Sequence, residues 1–139
     1  MVYVDSNLFI YAAIGLPEDS KTVQSRIFFT KIASGKILAS TSVLTWDEVI
    51  WVCRKSLPPD LTNNVGNSFF SLPNLELKDV NKAIVLKASD LVAQHNLRPR
   101  DAIHAATAIL NGEKEIISDD SDFDKVKELI RISLAEAAK

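Results

Sequence analysis

The sequence predicts an α/β fold built on a mostly parallel sheet. Short β-prone runs alternate with amphipathic helical periodicities along the whole chain, the pattern of strands joined by helical crossovers. The 139 residues are 47% hydrophobic and 24% charged, enough to bury a sizeable core in one domain spanning residues 1–139.

Val2 to Val4 is a β-prone run closed by Asp5, and Leu8 to Tyr11 opens a helix. The loop Gly15 to Ser20 ends in polar residues that can cap the next helix, which carries Val23, Ile27 and Ile32 and stops near Gly35. Ile37 to Ala39 is expected as the second strand, with Ser40, Thr41 and Ser42 as N-caps for a helix from about Val43 to Lys55. Leu57, Pro58 and Pro59 close that helix. Leu61 to Phe70 reads as a further helix, Leu75 to Leu77 as the third strand, and Asp79 to Asn96 as a long amphipathic helix. Arg98, Pro99 and Arg100 break the pattern before a helix from Asp101 to a stop at Gly112. Glu115 to Ser118 is the fourth strand, followed by the acidic stretch Asp119 to Asp124 and a helix to about Leu129. Ile130 to Ile132 is the fifth strand and Ala135 to Lys139 a frayed end.

The net charge of −2, from 16 Lys and Arg against 18 Asp and Glu, lacks the basic excess of a non-specific nucleic-acid-binding module. A nucleic-acid enzyme remains compatible with it, because bound divalent cations offset acidic charge where a phosphate approaches. Cys53 is alone in an apolar helical run, so no intramolecular disulfide forms. No run of 18 apolar residues exists, and the expected location is the cytoplasm without membrane contact.

Asp5, Glu48, Asp101, Asp120 and Asp122 all fall inside helices or where a strand or loop enters one. Parallel neighbouring strands bring their C-terminal ends to one edge, so such distant carboxylates can converge there. Converged carboxylates repel one another unless a divalent cation sits among them, which points to Mg²⁺ or Mn²⁺. Each acid also has a plainer reading. Asp5 and Asp101 stand where N-caps stand, and Ser121 with Asp124 has capping-box spacing. In the helix around Trp46 and Trp51, periodicity leaves Asp47 and Glu48 both open, with Arg54 placed to pair with Asp47. Asp101 shares a face with Ala105, Ala108 and Gly112, small residues that allow close approach to the sheet and place its carboxylate deep in the fold. His104 reads as a structural hydrogen-bonding residue rather than a general base.

Four segments together resemble the motifs of PIN-domain ribonucleases, most closely short stand-alone VapC-like toxins. They are Val4-Asp5-Ser6-Asn7, Glu48 within Leu44 to Arg54, Asp101-Ala102-Ile103-His104-Ala105-Ala106, and Ser118-Asp119-Asp120-Ser121-Asp122-Phe123. The resemblance covers essentially the whole chain. It implies a three-layer α/β/α sandwich around a sheet of about five strands. It also implies a metal-binding acidic quartet of Asp5, Glu48, Asp101 and Asp120, with Asp122 as a fifth acid, Ser118 and Asn7 as supporting polar residues, and Asp119 at a variable position. The implied activity is Mg²⁺- or Mn²⁺-dependent hydrolysis of RNA leaving 5′-phosphate and 3′-hydroxyl ends. The implied partners are RNA, a small antitoxin, and a second copy in a homodimer. Arg98 and Arg100 are candidates for phosphate contact, and Arg54 and Lys55 weaker ones. Two alternatives stand beside this: a PIN-fold interaction module that cleaves nothing, and a haloacid-dehalogenase-like phosphatase. The latter needs a second Asp two positions after the first, where this chain has Asn7.

Overall fold

Five strands, β1 (Val2–Val4), β2 (Ala39–Ser42), β3 (Leu75–Lys78), β4 (Glu115–Ile117) and β5 (Ile130–Ile132), pair in parallel in the order β3-β2-β1-β4-β5. The computed structural model describes residues 1–139. The helices are α1 (Ser6–Ile14), α2 (Ser20–Ala33), α3 (Thr45–Ser56), α4 (Pro59–Ser71), α5 (Lys82–His95), α6 (Pro99–Leu110) and α7 (Leu134–Ala137), with a 3₁₀ segment over Ser121–Lys125. None is long and apolar enough to cross a membrane.

Successive strand residues face opposite layers, as a two-residue period requires. Tyr3 and Ile116 pack with α5, α6 and the 3₁₀ segment, whereas Val4, Ala39 and Ile117 pack with α1, α2, α3, α4 and α7. The result is the expected three-layer α/β/α sandwich. Helix α6 approaches closely because Ala102, Ala105, Ala106 and Ala108 are completely buried. Ala105→Leu is therefore expected to overpack this layer and cost about 1–3 kcal/mol, measurable as a lower midpoint in urea denaturation.

Several boundaries differ from the expectation. The second strand is Ala39–Ser42 rather than Ile37 to Ala39, because the strand pairs on both sides and its hydroxyls find partners inside the fold. Thr41 Oγ1 donates to the Val4 carbonyl at 2.8 Å, and Ser40 Oγ to the Glu113 carboxylate at 2.5 Å. Ser40 and Thr41 are thus strand residues, and α3 begins at Thr45 with no side-chain cap. Helix α5 starts at Lys82, where Asn81 accepts from the Ile84 amide. Pro99 does not precede the next helix but opens it, since a first helical position needs no N–H donor. The acidic stretch folds only into the 3₁₀ segment, and the expected frayed end is α7, capped by Ser133.

Strand order reverses between β1 and β4, so the chain leaves their C-terminal ends in opposite directions and opens a crevice there. Asp5 follows β1 and Ser118 follows β4.

Candidate active site

The crevice at this switch point is a cleft of about 550 Å³ lined by Asp5, Ser6, Asn7, Glu48, Arg98, Pro99, Arg100, Asp101 and Asp120, every side chain but that of Pro99 being polar or charged. Four strand-to-helix or loop-to-helix passages deliver these groups. Asp5 enters at the start of α1, Glu48 from the first turn of α3, Asp101 from the first turn of α6, and Asp120 just before the 3₁₀ segment.

The capping alternatives resolve one by one. Asp5 precedes α1, yet its side chain caps no amide. Asp101 lies inside the first turn of α6 rather than at its cap, half-buried at the cleft instead of deep in the fold. Ser121 and Asp124 form no capping box. Asp120 Oδ1 accepts from the Asp122 amide at 2.9 Å, and Asp124 is held by both guanidinium edges of Arg131 at 2.9 and 3.1 Å. Asp119 accepts from the Leu134 amide at 2.9 Å and meets Lys21 at 3.5 Å, away from the cleft. On α3 the buried stripe is Thr45, Val49 and Cys53, while Leu44 and Trp51 are exposed. Glu48 flanks that stripe on the cleft side. Asp47 points outward and meets Arg100 at 3.7 Å, not Arg54.

The carboxylates fall into two groups. Asp5 and Glu48 are clamped by donors: Ser118 Oγ donates to Asp5 Oδ2 at 2.7 Å and Ser6 Oγ to Glu48 Oε2 at 2.8 Å. His104 Nε2 lies 2.8 Å from Glu48 Oε1 and 3.8 Å from Asp5 Oδ1. Ser118 also accepts from the Asp120 amide at 3.0 Å, so one hydroxyl joins the ends of β1 and β4. The second group, Asp101, Asp120 and Asp122, places carboxylate oxygens within 4.8 Å of one another. Its one salt bridge is to Lys125, 3.4 Å from Asp122.

Electrostatics follow this division. Burial raises the pKa of Glu48, but hydrogen bonds from His104 and Ser6 outweigh it and hold the carboxyl below its ordinary value. Asp5 is almost wholly buried, and burial lifts its carboxyl despite His104 and Ser118. Asp101 is pushed up to about 6 by burial and by the charges of Asp5 and Asp120. Like charges left facing one another in this way are what a hard cation relieves.

Asp5, Glu48, Asp101 and Asp120 therefore line one cleft and Asp122 meets the last two, with Asn7 exposed at the rim, Arg98 and Arg100 along the wall, and Ser118 beneath Asp5. Ser6 was not singled out as a site residue, although it follows Asp5 directly. His104 lies one turn after Asp101, and that i, i+3 spacing is the signal that it points toward the same carboxylates from the buried side.

A family model described as PIN domain matches residues 2–129. No curated protein sequence matches the chain. Among solved structures, DNA-bound VapBC from Salmonella typhimurium is 21% identical, covers 96% of this chain and 97% of its own, and superposes with a TM-score of 0.73. VapBC2 from Rickettsia felis, bound to a promoter DNA fragment, is 19% identical with a TM-score of 0.73 and covers 96% and 98% of the two chains. VapC20 from Mycobacterium tuberculosis, described as a sarcin-ricin loop cleaving toxin, is 13% identical with a TM-score of 0.73 and covers 91% and 95%. At these identities the structural matches speak for the fold.

Proposed function

Because this chain belongs to the PIN-domain family, we propose that it is a divalent-metal-dependent endoribonuclease acting as the toxin of a toxin–antitoxin pair. The observation that carries the proposal is the convergence of four carboxylates on one cleft walled by Arg98 and Arg100, with Asp122 meeting two of them. Asp101, Asp120 and Asp122 would hold a Mg²⁺ or Mn²⁺ ion, with Asp5 and Glu48 completing its surroundings. Such an ion, when bound, lowers the pKa of a water and neutralises charge on a phosphodiester. Arg98 and Arg100 would receive the phosphate backbone through their planar donor forks. Asp47 shares Arg100 across the cleft mouth, an exposed pair weak enough for a phosphate to displace.

The antitoxin belongs to the same proposal. Vap complexes among the structural neighbours bind DNA with their partner, and this chain offers an apolar groove of about 460 Å³ lined by Phe9, Phe29, Leu61, Val65 and Phe69 that a partner helix would cover. Homodimer formation would use other apolar surface, such as Trp51 and Phe70, exposed by 52% and 61%.

Incubating the purified chain with a mixed RNA pool and Mn²⁺ or Mg²⁺ tests the activity. Cleavage to 5′-phosphate ends is expected, abolished by a chelator and restored by Mn²⁺. An RNA pool left intact while Mn²⁺ binds would favour the non-catalytic interaction module instead.

A further inference from the structure

We infer that His104, oriented by Tyr3, is a positioning residue that fixes Glu48 for the cation. The inference rests on the metal-dependent reading above. Glu48 is a long side chain on the flank of α3, 18% exposed, with exposed Leu44 and Trp51 beside it. Left alone it would spread over several rotamers, and ordering it would cost entropy at the moment of metal binding. Two donors order it in advance: Ser6 on Oε2 and His104 on Oε1. Each oxygen keeps a further lone pair, so the clamp does not use up its capacity to ligate.

His104 can do this because the rest of its ring is fixed. It is completely buried, and its other nitrogen, Nδ1, lies 2.6 Å from Tyr3 Oη. The rings pack edge to face at 5.6 Å. The Ser42 amide donates to Tyr3 Oη at 3.1 Å, which leaves the phenolic proton for Nδ1. With Nδ1 accepting, the neutral ring carries its proton on Nε2, aimed at Glu48. The imidazolium keeps the same Nε2 bond. Through Tyr3 in β1 and Ser42 in β2, the sheet thus dictates where a carboxylate on α3 points. Orienting groups of this kind support metal ligands widely, and deleting one commonly costs 10–100-fold in affinity.

Calorimetric titration with Mn²⁺, paired with urea denaturation, separates positioning from mere packing. His104→Gln can still donate to Glu48, whereas His104→Leu fills similar space without a donor. Mn²⁺ binding is expected to weaken at least about tenfold in His104→Leu and no more than about threefold in His104→Gln. His104→Leu also deprives the buried Tyr3 hydroxyl of its acceptor, so urea denaturation serves to fix conditions under which every variant is fully folded and affinities are compared there. Metal affinity unchanged in His104→Leu, or lowered as much in His104→Gln, overturns the inference. Tyr3→Phe removes one hydroxyl and no volume, and covers the case in which a position-104 variant fails to fold. It is expected to weaken Mn²⁺ binding by about threefold or more with an unchanged circular dichroism spectrum, and wild-type affinity there overturns the inference. If the wild-type chain itself binds no Mn²⁺, the metal-dependent reading falls and this one with it; if it binds and the variants bind equally, this one falls alone.

Discussion

Asp101→Asn is expected to lower metal-dependent RNA cleavage by at least roughly 10²–10³-fold, the effect of losing several kcal/mol of transition-state charge stabilisation. Asp101 sits beside Asp120 and Asp122 with no cation of its own, and its raised pKa reports the crowding. Asparagine keeps the shape of the side chain and removes the charge that would hold the metal. Asp5→Asn should lose as much cleavage for a further reason. Asp5 is buried and receives the Ser118 hydroxyl on one oxygen, with His104 near the other. An amide there turns its NH₂ toward one of these donors, so this variant is also expected to lose about 1–3 kcal/mol of stability. Single-turnover cleavage and urea denaturation of both variants measure the two effects. Cleavage that survives in both would assign the activity to a contaminant.

The same carboxylate makes the metal-free fold sensitive to pH with a definite sign. The folded pKa of Asp101 is raised from 3.8 to about 6, so its contribution is fully present below 3.8 and is lost as the pH rises through 6. Glu48, Asp124 and Glu128 are shifted down and contribute in the opposite sense, so the comparison of wild type with Asp101→Asn isolates the group. Above pH 6 and without metal, Asp101→Asn is expected to melt at a higher temperature than wild type, and the difference should shrink below pH 5. Mn²⁺ reverses the order. At a hundredfold excess over its dissociation constant it stabilises the wild type by about 2.7 kcal/mol, and the variant by much less. Thermal melts at two pH values with and without Mn²⁺ read all four quantities. Equal Mn²⁺ stabilisation of both proteins would place the ion elsewhere.

The alternation of strands and helices was legible because period-2 and period-3.6 runs are set locally, and so was the parallel sheet. Boundaries were less so. Ser40 and Thr41 carry the residue types of a cap, and only their long-range bonds to Glu113 and Val4 make them a strand. Pro99 reads as a breaker until one asks which helix it begins. The candidate site was legible as a set of acids because each stands inside a helix or where a strand or loop enters one. Its division into clamped and crowded carboxylates was not, since Ser118 and Asp5 meet across 113 positions. Asp47 choosing Arg100 over Arg54 likewise depends on how α3 and α6 are set beside one another.

The bond from Ser118 to Asp5 also bears on how the protein is made. A ribosome releases Asp5 113 residues before Ser118, so no nascent fragment lacking β4 carries the assembled cleft. A translation product ended before β4 would carry Asp5 and Glu48 without Asp120 and Asp122, so the crowded group of carboxylates assembles only after β4 has emerged.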